Sequence, residues 1–151
     1  MNNKGFTLIE LIISLAISVI ILSLGSIPFS AIERQRIVQS ANILRSNLRY
    51  CQKNAVDEKR KYELNFAANK NLYYVRRADD SGLLRKVSQI NLPSGINIFT
   101  NAKENSVAYT LRGTTGSACT ITLRGQRYFL QMTINVGCGR VKINPIQKLY
   151  S

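Results

Sequence analysis

The chain has 151 residues, with 21 Lys+Arg against 8 Asp+Glu for a formal net charge of +13, yet 45 % of it is hydrophobic. That apolar share is too high for a chain held open by self-repulsion, and the length suits one domain with a real core rather than two. Histidine is absent and the three cysteines form no Cys-x-x-Cys, which argues against imidazole chemistry, a catalytic or structural zinc and a thioredoxin-like centre; no cofactor or metal is expected, and composition leans toward binding or structure rather than catalysis.

The first predicted element is apolar. Residues 11–32, between Glu10 and Glu33, carry no charge. As a helix, they are long enough to cross a hydrocarbon core of about 30 Å. Two plain readings fit: a secretory signal peptide, with Lys4 ahead of the run and small Ser23 and Gly25 spaced like a cleavage site, or a single-span anchor. Against the signal peptide, the run exceeds the usual apolar region of about 7–15 residues, and a carboxylate, Glu10, sits near its start. Neither reading explains Glu10. A charge at the centre of a spanning helix costs about 2.5–3.5 kcal/mol, less near the interface, and marks a functional candidate.

The helical period continues past the apolar run. Ile37, Ala41, Leu44, Leu48, Cys51 and Ala55 recur every three or four residues and line one face, while Arg34, Arg36, Arg45, Arg49 and Lys53 mostly fall off it. The pattern predicts a helix from about Phe6 to about Val56, about 75 Å long at about 1.5 Å per residue. Gly25 and Pro28 lie between its halves, and Pro28 lacks a backbone donor, so it can kink or locally melt the helix.

After Lys59-Arg60-Lys61 the period turns strand-like. Tyr62, Leu64 and Phe66 alternate with polar residues, and Asn69-Lys70-Asn71 is a turn signal before Leu72-Tyr73-Tyr74-Val75. Asp79-Asp80-Ser81-Gly82 turns into a strand from Leu84 to Ile90, and Pro93-Ser94-Gly95 breaks the chain before Ile96, Ile98 and Phe99. Val107 to Leu111 and Cys119 to Leu123 read as further strands, and Gly125-Gln126 turns into Tyr128 to Val136. One long helix followed by about seven short strands predicts an α+β fold, a long N-terminal helix packed on an antiparallel β-sheet head.

The residues Lys4-Gly5-Phe6-Thr7-Leu8-Ile9-Glu10 and the apolar run after them resemble the leader of type IV prepilins and type II secretion pseudopilins. The resemblance implies cleavage by a prepilin peptidase between Gly5 and Phe6, N-methylation of Phe6, and retention of the apolar helix. It assigns Glu10, the fifth residue after the junction, to assembly. In that role the carboxylate pairs with the amine of a neighbouring subunit's Phe6, and an unpaired buried charge penalises the wrong register by several kcal/mol.

Tyr109 to Gly113, Cys119 to Leu123 and Ile134 to Val141 are similar to the head pattern of H-type pseudopilins and FimT-type minor pilins, which extends the resemblance to a pilin-like fold. The expected organisation is a leader at 1–5, a hydrophobic transmembrane and assembly helix at 6–32, an amphipathic continuation at 33–58 and a β-rich head at 59–151. The expected site is a single-pass cytoplasmic (inner) membrane protein with its head outside the cytoplasm, then a pilus or pseudopilus filament at the cell surface or in the periplasm.

Export of the head would place the cysteines in an oxidising compartment. A hairpin centred on Gly125-Gln126 sets Cys119 opposite residue 132 or 133, so a Cys119–Cys138 disulfide requires a bend that Gly137 and Gly139 can make; this pairing is the one expected. Cys51, on the apolar stripe, reads as a buried small hydrophobe.

Leader removal takes only Lys4 from the +13, and such a field attracts polyanions. The function that the resemblance implies is a minor pilin or pseudopilin that helps initiate or cap a type IV pilus-like or type II secretion filament. The alternative is a DNA-binding minor pilin of a competence pilus, with Arg124, Arg127, Arg140, Lys142 and Lys148 as contacts to phosphates; a third possibility is an ordinary membrane-anchored globular protein. The implied partners are the prepilin peptidase, other pilin or pseudopilin subunits, inner-membrane assembly machinery, membrane lipid before assembly and, on the alternative, DNA.

Overall fold

A computed structural model of the chain describes residues 7–24, 29–67 and 70–149. It divides into two compact units, residues 1–32 and 33–151. Lys4, Gly5, Phe6, Gly25 and Pro28 lie outside the described residues, and with them the cleavage junction and the expected kink.

Two helices open the chain, α1 over Leu8–Leu24 and α2 over Phe29–Asp57. The C-terminal end of α2 falls within a residue of the expected stop. Among the described residues, no helix is long and apolar enough to cross a membrane. The expected spanning helix over 6–32 includes residue 6 and residues 25–28, which lie outside the described residues.

The stripe on α2 is buried as its spacing requires. Ile37, Leu44, Leu48, Cys51 and Ala55 are wholly inaccessible, and Ala41 nearly so. At about 25 cal/mol per Å² of apolar surface removed from water, this face is what holds the helix to the head.

Among the described residues, the head contains nine strands: β1 Tyr62–Ala67, β2 Leu72–Ala78, β3 Leu84–Asn91, β4 Asn97–Thr100, β5 Ser106–Tyr109, β6 Cys119–Arg124, β7 Tyr128–Ile134, β8 Val141–Ile143 and β9 Gln147–Lys148. They form two sheets instead of one. The first has the order β3-β2-β1-β5; the second has the order β4-β6-β7-β8, with β9 also paired to β7. All named pairs are antiparallel. The chain crosses over twice: β4 leaves its predecessors to pair with β6, and β5 returns to pair with β1.

Period-2 alternation puts Tyr62, Leu64, Phe66, Tyr73 and Val75 of one sheet in the same buried cluster as Ile121, Leu123, Leu130, Met132 and Ile134 of the other, with the α2 stripe among them. This is an α+β head with a helix packed on antiparallel sheets.

The β6–β7 hairpin turns at Gly125-Gln126 as read, with Arg124 opposite Phe129 and the Gly125 N–H donating to the Tyr128 carbonyl at 2.8 Å. Its register overturns the expected disulfide. Cys119 faces Ile134, four residues short of Cys138, and lies buried in the core, while Cys138 is exposed in the following turn. All three cysteines are free. Gly137 and Gly139 do adopt positive φ, at 79° and 59°, but the bend they make leads into β8 rather than back to Cys119.

Candidate assembly helix and basic surface

In the first unit the apolar side chains of α1 lie open. Leu8 is 79 % exposed, and Ile9, Leu11, Leu15, Ile20, Ile21 and Leu22 are at least 60 % exposed. Glu10 stands in the first turn of this helix, where its charge complements the partial positive charge of the unpaired N–H groups. The Thr7 carbonyl accepts from the N–H of Glu10 at 3.1 Å and of Leu11 at 3.3 Å, which starts the helical ladder.

In the second unit the five basic side chains read as DNA contacts are all exposed, but they do not form one group. Arg124 ends β6, Arg127 sits in the hairpin turn, and Lys148 on β9 pairs with Tyr128 at the start of β7. Lys142 on β8 pairs with Thr133 near the other end of β7, and the Arg140 carbonyl accepts from Asn135 N–H beside it. Their partners Tyr128 and Thr133 are five positions apart on β7, about 17 Å at about 3.4 Å per residue.

The hairpin group is held by a residue that sequence reasoning treated only as the end of an apolar run. The Glu33 carboxylate, near the start of α2, accepts from the N–H of Arg127 at 2.8 Å and of Tyr128 at 3.4 Å. A Cβ at position 125 would come within 2.2 Å of that carboxylate, so a side chain there would force Glu33 to move. Glu33 thus fastens the hairpin tip to the helix through backbone groups.

The other group gains two members from α2. Arg140 shares a cleft of about 470 Å³ with Arg45 and Arg49. Residues 45, 49 and 52 recur at spacings of four and three and so share one face of the helix. Gln52 anchors the facing loop: its Nε2 donates to the carbonyls of Gly113 and Cys138, each at 2.8 Å. Gly139 completes the fit, since a Cβ there would come within 2.8 Å of the Tyr109 ring and 3.0 Å of Gln52 Nε2. The Arg45 Nε is buried and has no partner among the described residues. The signal for Arg45 and Arg49 was present in their position off the apolar stripe; the loop that would lie across from them was not visible in the sequence.

Beneath this loop the core holds Tyr109, Cys51 and Cys119. Burial pushes the Cys51 thiol up to about 12 and the Cys119 thiol up to about 11. Burial likewise raises the Tyr109 phenol well above its ordinary range, and its hydroxyl has no partner among the described residues. These groups stay neutral and form no reactive centre. Among the described residues, no cluster of three or more His, Cys, Asp or Glu could hold a metal ion.

Comparison with known proteins agrees with both halves of this description. Residues 1–26 match the family described as the prokaryotic N-terminal methylation motif. No curated protein sequence matches significantly. The type IV minor pilin FimU of Pseudomonas aeruginosa superposes with a TM-score of 0.62 at 17 % identity, covering 78 % of this chain and 93 % of that one. The minor pseudopilin EpsH from the type 2 secretion system of Vibrio cholerae superposes with a TM-score of 0.63 at 11 % identity, covering 72 % of this chain and 96 % of that one. At these identities the likeness is one of fold. In its N-terminal motif and in the fold of its head, the chain is type IV pilin-like.

Proposed function

We propose that the protein is a minor pilin or pseudopilin that helps initiate or cap a type IV pilus-like or type II secretion filament. The observation that carries this reading is the methylation motif, which leads into a helix whose apolar side chains are uncovered. Such a helix needs a cover, because each buried CH₂ is worth about 0.8 kcal/mol. Lipid supplies it before assembly, and the α1 helices of neighbouring subunits supply it afterwards.

Processing by a prepilin peptidase between Gly5 and Phe6 frees an amine that is then methylated. Glu10, one turn into α1, pairs with the corresponding amine of a neighbour and sets the stagger between subunits. The head lies outside the cytoplasm throughout. In cells carrying the Glu10→Ala variant, the protein is expected to fractionate with membranes as before but to be lost from sheared filaments. Wild-type incorporation of that variant would overturn the assembly role.

A second reading is favoured by one observation: the +13 charge surfaces as exposed arginines and lysines at both ends of β7. On this reading the head binds duplex DNA through phosphates, without sequence preference. The full chain in nonionic detergent should retard duplex DNA at low salt. Joint neutralisation of Arg124, Arg127, Arg140 and Lys142 should abolish the retardation, and no retardation by the parent protein would end this reading.

A further inference from the structure

We infer that the cleft between α2 and the loop leading into β8 is a discrete binding site for a phosphate group, held by Arg45, Arg49 and Arg140. Arg45, Arg49 and Arg140 line one cleft, and no acidic side chain is among the described residues that line it. None of the three makes an ion pair among the described residues. Like charges gathered without a counterion are costly, and the cost falls when an anion enters.

A second, independent observation points the same way. The Arg45 Nε–H is buried and has no partner among the described residues, a condition that costs about 1–3 kcal/mol until an acceptor arrives. The site is also built rather than incidental. The two Gln52 hydrogen bonds and the close seat of Gly139 against Tyr109 hold the loop that presents Arg140 to the helix.

A tetrahedral phosphate, with acceptor oxygens pointing in several directions, can take N–H donors from a helix and a facing loop at once. A planar carboxylate is satisfied by one guanidinium fork. Whether the phosphate is free or part of a larger molecule, the chemistry that recognises it is the same. This inference goes beyond both functional readings. It makes Arg45 a ligand, which neither reading uses, and it stands or falls independently of filament assembly.

The test is a titration of the full chain in a phosphate-free nonionic detergent with inorganic phosphate, followed through the arginine Nε–Hε resonances at physiological ionic strength. Saturable shifts of the Arg45 and Arg140 signals are expected. Arg45→Lys keeps the charge but removes the Nε–H, and it should weaken binding about tenfold, as loss of a charged hydrogen bond implies. Arg140→Lys, at an exposed position, should do the same. Lys86→Ala, on the edge strand β3 of the other sheet, removes a whole charge and should leave the affinity unchanged. Displacement of phosphate by a short DNA duplex would identify the source as a phosphodiester backbone, and failure to displace it would identify a free anion or monoester. A non-saturating titration, unchanged affinity in both lysine variants, or an equal loss in Lys86→Ala would overturn the site and leave only a diffuse field.

Discussion

Cys119 illustrates how the fate of one side chain hangs on register. With its neighbour across the hairpin at Ile134, its sulfur faces the core, while Cys138 sits past the end of the strand in solvent. The thiolate is the reactive form, and burial raises the Cys51 and Cys119 thiols to about 12 and about 11, so neither reacts at neutral pH in the folded protein. Purified without reductant, the native protein should therefore consume one equivalent of a thiol-specific chromophore, at Cys138, and three after denaturation. Fewer than three in denaturant would restore the disulfide. The sequence showed that the cysteines were unsuited to metal or redox work. It did not show the pairing, because a shift of one or two residues in a hairpin moves every cross-strand neighbour.

Among the elements, α2 is the one that periodicity described best. All six stripe residues are buried, because a helical face is set by spacing alone and needs no knowledge of what lies opposite. Leu48→Ala, at a wholly inaccessible position, should cost about 2–5 kcal/mol in urea unfolding of the full chain. Ile43→Ala, on the exposed side, should change stability by about 0.5 kcal/mol or less. A similar cost at both positions would mean that α2 does not pack on the head as described. Strands β1 to β7 were readable from alternation and turn residues. The strands β8 and β9 were not, since three and two residues are too few to show a period. The exchange of β4 and β5 between sheets was hidden for another reason: strand pairing over long sequence separation is decided by where each apolar face finds cover.

For the molecule as a whole, the chain separates an uncovered apolar helix from a basic head, and each makes its own demand on the surroundings. If the motif at residues 1–26 is processed as proposed, Gly5→Leu should leave a precursor that retains the first five residues, detected by intact mass, while wild-type protein begins at Phe6. Normal trimming of Gly5→Leu would return the chain to a plain tethered protein.

What the amino-acid order determined by itself were the local properties: the methylation motif, the helical stripe, most of the strands, the excess of positive charge and the lack of groups for imidazole or metal chemistry. Each of these depends on residues within a few positions of one another. Only the tertiary structure decided that the head has two sheets, that Glu33 clasps the hairpin, that the cysteines stay apart, and that Arg45 and Arg49 meet Arg140. Those outcomes join residues up to 95 positions apart. They follow from the packing of both sheets around one helix, which no local pattern encodes.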